Sequence, residues 1–176
     1  GTRGIPIDRA YVSSLPETES EVLSILENYD EKGKKATIKL RTDANEEYIK
    51  SDSLKNYKYV HFATHGFVNM DKPELSGIMM AQDTSSNEDG VLFMGEIYNL
   101  DLNADLTILS ACETGLGKIK KGEGLIGLTR ALLYAGSKNI IVSLWKVADR
   151  STSEVMIRFY QNLLETENNE PADSEL

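Results

Sequence analysis

An α/β fold with a mostly parallel central sheet is predicted for this 176-residue chain from the alternation of two patterns. Continuous apolar runs, typical of strands that are covered on both faces, occupy residues 106–111 and 139–145. An amphipathic helix is predicted between them, at residues 125–134, where leucines recur on one side. Strands that alternate with helices in this way form parallel sheets with helices packed on the faces.

The remaining elements follow from shorter signals. Three further helices are predicted: one that begins at Pro16, one over residues 44–54, and one that ends at Leu164. Asp43 is a plausible N-cap for the helix over residues 44–54, and Asp149 or Ser151 is a plausible N-cap for the last helix. Strands are predicted at residues 7–12, 36–40 (an edge strand), 57–64, 77–81 and 91–93, with a short helix or turn at 96–100.

The domain organisation is predicted from length and composition. One domain is expected over residues 1–164, followed by an acidic, disordered tail over residues 165–176. Because the chain begins with Gly1 and no apolar leader follows, it is predicted to be an excised or processed piece of a longer protein. A formal net charge of −9 argues against nucleic acid as a partner, and no apolar run has the length of a membrane helix.

The chain contains one cysteine, Cys112, and two histidines, His61 and His65. A disulfide within the chain is impossible, so a reducing, cytoplasmic location is predicted. One thiol and two imidazoles cannot complete a cysteine/histidine zinc site, and no metal or other cofactor is predicted. Cys112 and His65 each follow a predicted strand, and the carboxyl ends of parallel strands are where such sheets bind ligands.

Cys112 and His65 are the residue types that nucleophilic catalysis needs. A free thiol has a pKa of about 8.5, so a reactive cysteine requires a nearby base. Gly66 lacks a side chain, which lets a carbonyl approach its backbone, and the N–H groups of Gly66 and Cys112 suit an oxyanion hole. A buried, inert Cys112 is the alternative that composition alone favours. His61 lies inside a predicted strand and is expected to be packed there or to support His65 indirectly.

Two motifs resemble the CHAT domain, a family grouped with caspases, separases, gingipains and legumains among the cysteine peptidases. They are residues 60–66 (VHFATHG) and residues 109–117 (LSACETGLG). The match continues at residues 122–128, 135–136, 142–149 and 159–160. The resemblance spans about residues 15–164 and implies a caspase-like αβα sandwich in which His65 and Cys112 form a catalytic dyad.

The resemblance also implies further roles. The backbone N–H groups of Gly66 and Cys112 match the oxyanion donors. Asp149 matches an acid that, in separases, helps to hold a basic side chain at the cleavage site, because a carboxylate binds Arg or Lys by charge-assisted bonds. Glu113 and Trp145 are assigned to the same substrate-binding region. The implied substrate is a protein or peptide, and the implied partners are upstream tetratricopeptide repeats or a regulatory protein.

Other features of the sequence are compatible with different functions. Residues 122–127 (GEGLIG) fit a dinucleotide-binding pattern, but ten residues separate them from the preceding strand. Residues 85–96 match most of an EF-hand loop, although Ser85 replaces its first acid. The lysines of residues 118–121 form either a solvated loop or a self-cleavage site. A non-catalytic scaffold with this fold, and an amidase or transferase with this dyad, remain as alternatives.

Overall fold

The computed structural model describes residues 16–69, 71–82, 86–110, 112–113, 123–142 and 149–169. These residues divide into two compact units. One unit holds the described part of Leu40–Lys146, and the other holds the described parts of Leu15–Lys39 and Val147–Leu176. The strand predicted at residues 7–12 and the last part of the acidic tail, residues 170–176, lie outside the described residues.

The smaller unit is a pair of helices, α1 (Pro16–Glu31) and α5 (Asp149–Asn169). Helix α1 begins with proline, whose fixed φ suits the first helical position. The rings of Tyr29 and Tyr160, one on each helix, have centroids 6.1 Å apart and contact in a tilted arrangement. The buried apolar side chains of the two helices include Ile25, Met156, Tyr160 and Leu164.

Helix α5 is longer than the sequence predicted. It ends at Asn169, whereas the acidic composition of the segment after Leu164 predicted an end there. One reason is an ion pair that the local sequence does not show, between Lys34 Nζ and Glu167 Oε2 at 2.5 Å. Residues 165–169, which were expected to belong to the tail, are therefore helical.

The larger unit contains a parallel sheet of three strands in the order β1-β5-β7. The strands are β1 (Tyr59–Phe62), β5 (Leu106–Leu109) and β7 (Ile140–Val142), and α4 (Glu123–Tyr134) lies between β5 and β7 in the chain. The core shared by β1, β5 and α4 includes Val60, Phe62, Leu109, Leu128, Ala131 and Leu132. The predicted α/β class with a parallel sheet is confirmed.

A second sheet of four strands has the order β4-β3-β2-β6. Its strands are β2 (His65–Phe67), β3 (Gly77–Met79), β4 (Val91–Phe93) and β6 (Cys112–Glu113). β2 and β6 are parallel, whereas β3 pairs antiparallel with both β2 and β4. β2 follows β1 and β6 follows β5 after short interruptions. The parallel pair β2–β6 of the second sheet therefore continues the parallel pair β1–β5 of the first.

The helix predicted over residues 44–54 is wrong, because the chain forms two shorter elements there. A 3₁₀ turn (Arg41–Asp43) precedes helix α2 (Glu46–Lys50), and a second 3₁₀ turn (Asp52–Asn56) follows it. The N-cap of α2 is Asn45, not Asp43: its side chain accepts a hydrogen bond from Tyr48 N at 2.9 Å. Ser51 then adopts an extended backbone and interrupts the helical pattern.

Two other predicted boundaries also change. Residues 36–40 adopt no regular secondary structure, although their alternating pattern predicted an edge strand; they lie where the two compact units meet in the sequence. Helix α3 (Met94–Ile97) begins before the predicted residues 96–100. Glu96 explains this start, since its carboxylate accepts a hydrogen bond from Phe93 N at 2.9 Å and so caps the helix from its third position.

Candidate active site

His65 and Cys112 are neighbours in the backbone ladder between β2 and β6. Their Cα positions are register partners, and Gly66 is the partner of Glu113. Neighbouring strands lie about 4.8 Å apart, so the two backbones run side by side at this level. His65 begins a strand rather than following one, which corrects the prediction that a single strand stops at the His65-Gly66 pair.

The register of this pair continues the register of the parallel sheet. Phe62 is the partner of Leu109 in the β1–β5 ladder, and His65 is the partner of Cys112 in the β2–β6 ladder. In both ladders the partner lies 47 positions further along the chain. Both strands are thus interrupted by two residues at the same level, and the pairing register after the interruption is the same as before it. The register of the core sheet therefore sets the register of the candidate dyad.

The His65 side chain is held in a confined position. It is only 8% exposed, and its Nδ1 atom is buried. The residue before it, Thr64, donates a hydrogen bond from Oγ1 to the carbonyl oxygen of Met79 at 2.8 Å, which ties the interruption between β1 and β2 to β3. The following residue, Gly66, is buried and is paired with Ile78 of β3 as well as with β6. His65 is therefore fixed on both sides of its position in the chain.

A pair of aromatic rings links the strand of His65 to β4. Phe67 of β2 and Phe93 of β4 are both register partners of Gly77, which separates them. Because Gly77 has no side chain, the two rings meet edge to face above it, with centroids 6.3 Å apart. A Cβ at Gly77 would lie 2.7 Å from the Leu92 carbonyl oxygen, so this position excludes larger residues.

His61 lies inside β1, as predicted, and contacts a residue that the sequence did not indicate. Its Nε2 shares a hydrogen bond of 2.8 Å with Oγ of Ser110, the residue after β5. Its Nδ1 is shielded from solvent. Burial lowers the pKa of His61 to about 4. The imidazole is therefore neutral at physiological pH and a weak base there.

The other predicted site residues are placed only in part. Glu113 is in β6 and Asp149 is the first residue of α5, but the described structure extends to their backbones and not to their side chains. Trp145 and the lysine-rich residues 118–121 lie outside the described residues, as does Ser85, the first position of the EF-hand pattern. The roles assigned to these residues stay predictions.

An ion cluster around Lys50 is a charged feature that the sequence did not indicate. Carboxylate oxygens of Glu46, Glu88 and Glu96 lie within 4.8 Å of one another, a spacing that would suit a metal ion. However, Lys50 Nζ lies among them, 3.0 Å from Glu46, 2.5 Å from Glu88 and 2.7 Å from Glu96. Burial alone would lower the pKa of Lys50, but its hydrogen bonds to the three carboxylates outweigh burial and raise that pKa.

Two of these carboxylates, with that of Asp89, protect the outer strand of the four-strand sheet. In β4, Val91 N donates to Glu46 Oε2 and Asp89 Oδ1, each at 3.0 Å. Phe93 N donates to Glu96 Oε2 at 2.9 Å. These side chains occupy N–H groups that an exposed edge strand would offer to another chain. Asp89 and Glu96, two ligands of the EF-hand pattern, thus bind backbone N–H groups.

Replacing Lys50 with methionine is expected to lower the free energy of unfolding by about 2 kcal/mol at pH 7, because Glu46 is left charged, buried and close to two other carboxylates. Burial already raises the pKa of Glu46, and hydrogen bonds from Lys50 oppose that rise. Without Lys50 the pKa rises further in the folded state only. The folded variant then binds a proton more tightly than the unfolded chain, so acidification from pH 7 to 5 should restore part of the lost stability.

Thermal unfolding of the wild type and Lys50→Met at pH 5, 6 and 7 measures how the loss of stability changes with pH. Lys55→Met is the matched control, since Lys55 is more exposed and its ion pair with Asp52 is 3.4 Å long. We expect the control to change stability by less than about 0.5 kcal/mol at every pH. Equal losses in the two variants, or a loss in Lys50→Met that grows on acidification, would contradict the role given to the cluster.

Comparisons with known proteins bear on the whole chain. The profile of the CHAT domain family matches residues 5–174. Tetratricopeptide repeat protein 28 of Mus musculus is 32% identical over 74 residues, which are 42% of this chain and 3% of that protein. The Homo sapiens protein of the same name shows the same identity and coverage. The chain therefore spans about 3% of the length of these curated relatives.

Among the described helices, none has the length and apolar character needed to cross a membrane.

Proposed function

The chain belongs to the CHAT domain family, which is peptidase-like, and we propose that it is a cysteine endopeptidase with Cys112 as nucleophile and His65 as its proton-transfer partner. The observation that supports this proposal is the register of the β2–β6 ladder, in which His65 and Cys112 are direct partners. A nucleophile and its base have to lie within hydrogen-bond reach, and side chains at adjacent positions on neighbouring strands are close enough for such a contact to form.

The proposed reaction proceeds in two stages. In the first, the Cys112 thiolate attacks the carbonyl carbon of the peptide bond, and His65 gives a proton to the leaving amine as the C–N bond breaks. In the second, His65 takes a proton from water, which attacks the thioester and releases the acid product and the free thiol. His65 is the first residue of β2 and is largely buried, which supports a role that needs a fixed imidazole.

Backbone N–H groups are the proposed oxyanion donors, those of Gly66 and Cys112. In the described part of the sheet Cys112 has a paired strand on one side, whereas Gly66 is paired on both sides.

We propose that Asp149, with Glu113 and Trp145, forms the region that accepts an Arg or Lys side chain before the cleaved bond. A carboxylate would recognise such a side chain by charge-assisted hydrogen bonds.

Regulation by another part of the protein, or by a partner, belongs to the same proposal. An unregulated endopeptidase would degrade proteins around it, and the similar mouse and human proteins are named for tetratricopeptide repeats. We propose that upstream helical repeats or a regulatory protein gate the activity of the domain formed by residues 1–164. A cytoplasmic location is proposed with it, because the lone cysteine has to remain reduced to act.

A fluorogenic peptide library that varies the residue before the cleaved bond tests this function. The wild-type chain and Cys112→Ala are compared, both as this chain and within the full-length protein. We expect cleavage after Arg or Lys by the wild type and no cleavage by Cys112→Ala. Cleavage after other residues would remove the proposed basic specificity and keep the dyad. Cleavage that survives in Cys112→Ala would exclude the dyad, and a wild type that cleaves nothing, even at full length, would favour a non-catalytic scaffold.

A further inference from the structure

The two strands that carry His65 and Cys112 are both broken just before these residues. β1 ends at Phe62 and β2 begins at His65, while β5 ends at Leu109 and β6 begins at Cys112. A break of this kind is where the register of two strands is most easily lost, because the regular ladder is interrupted there. Something has to hold the two strands together at the break for the ladders on both sides to share one register.

Ser110 makes two contacts across this break. Its backbone N–H donates to the Phe62 carbonyl oxygen at 3.1 Å, and its Oγ shares the 2.8 Å hydrogen bond with His61 Nε2. The Ser110 side chain is buried, with 8% exposure. The side-chain bond joins His61, inside β1, to Ser110, the first residue after β5. His61 lies four positions before His65 in the sequence, and Ser110 lies two positions before Cys112.

A serine bonded to a histidine is also the arrangement of a nucleophile and its base, but this pair does not suit that role. Burial lowers the pKa of His61 to about 4, so the imidazole has little tendency to accept a proton at neutral pH. The Ser110 hydroxyl is itself buried and lies before the strand that carries Cys112. A neutral partner has a different use: its hydrogen bond is the same throughout the physiological pH range.

We propose that Ser110, through its hydrogen bond to His61, is a positioning residue that holds Cys112 in register with His65. The proposal rests on the proposed function, since it gives the pair a role in the Cys-His dyad. A hydrogen bond that spans the two strands one step before the dyad limits how far Cys112 moves relative to His65. Small displacements of reacting groups are costly to catalysis, and errors of about 1 Å can lower rates about a hundredfold.

The test compares Ser110→Ala with Ser110→Thr, which keeps the hydroxyl, and with Thr107→Val as a matched control. Thr107 is on β5, is fully buried, and its Oγ1 has no hydrogen-bond partner among the described residues. Two quantities are measured: kcat and KM on the best library peptide, and the ratio of iodoacetamide alkylation rates at pH 7 and pH 9.5. Since Cys112 is the only thiol, this ratio reports its thiolate fraction alone.

For Ser110→Ala we expect kcat and the alkylation ratio to fall about tenfold while KM stays within about twofold. Ser110→Thr should recover most of both losses, and Thr107→Val should leave both unchanged. Ser110→Ala values equal to those of the wild type or no rescue by Ser110→Thr would overturn the positioning role. His65→Ala is measured alongside: if it also leaves the alkylation ratio unchanged, the dyad itself fails, whereas a change only in His65→Ala overturns this inference alone.

Discussion

Gly136→Ala is expected to destabilise the larger unit by roughly 4 kcal/mol or more, the largest stability change that we predict for a single substitution. Gly136 has a φ of +108°, in the region that residues with a side chain rarely adopt. A Cβ placed there would lie 1.9 Å from the Leu102 carbonyl oxygen and 2.9 Å from the Leu102 carbonyl carbon. Because these are backbone atoms, no rotation of a side chain relieves the overlap.

The backbone around Gly136 is bonded on both sides and resists a shift. Leu102 N donates to the Ala135 carbonyl oxygen at 2.7 Å, and Lys138 N donates to the Ala104 carbonyl oxygen at 2.8 Å. Leu102 and Ala104 are buried in the core that α4 shares with β1 and β5. Moving the turn away from a new Cβ would break these bonds and loosen that core, so the cost of the substitution exceeds that of the unfavourable φ alone.

Two other glycines serve as matched controls. Gly33 also has a positive φ, +65°, but nothing lies within 4 Å of a Cβ built there, so Gly33→Ala should cost only about 1 kcal/mol. Gly95 lies in α3 with an ordinary φ and open space, so Gly95→Ala should be neutral or stabilise by up to about 1 kcal/mol. Urea unfolding of the three variants separates the cost of the positive φ from the cost of the steric overlap at the new Cβ. A loss in Gly136→Ala no greater than in Gly33→Ala would contradict the steric argument.

The elements that the sequence predicted well are those whose signal is local. The apolar run at residues 106–111 produced β5 and the leucine stripe at residues 125–134 produced α4, because burial on two faces or on one face leaves its period in the chain. Val91–Phe93 was predicted with the bounds that the structure has. The helix over residues 44–54 failed because its signal was weak, and Asn45 and Ser51, which can cap or interrupt a helix, decided the outcome.

The parts of the site that the sequence did not indicate depend on residues far apart in the chain. Ser110 is bonded to His61, 49 positions earlier, and Lys50 is bonded to Glu96, 46 positions later. Neither pair leaves a local pattern, since the two partners meet only after distant parts of the chain have folded together. His65 could be proposed as a site residue from the sequence because the glycine after it and the apolar strand before it are adjacent in the chain.

His65→Gln is expected to lower kcat/KM on the best library peptide by at least about a thousandfold, which is the largest effect on activity that we predict beside loss of the nucleophile itself. Glutamine has a side chain of comparable length that neither accepts nor donates a proton as a general acid or base, so it replaces the imidazole without emptying the confined position of His65. The loss should fall on kcat rather than on KM, because proton transfer to the leaving amine occurs only in the transition state.

The pH dependence of thiol alkylation shows whether this loss has the proposed cause. In the wild type we expect Cys112 to react with iodoacetamide well below pH 8.5, because the proposed pairing with His65 favours the thiolate. In His65→Gln the midpoint should move up to about 8.5, the value of a free thiol. The wild type unfolded in urea provides the reference, since Cys112 is then the only thiol of an unstructured chain. A native wild-type profile that coincides with this reference would mean that His65 does not activate Cys112, and that the adjacency of the two residues in the β2–β6 ladder serves the fold and not a reaction.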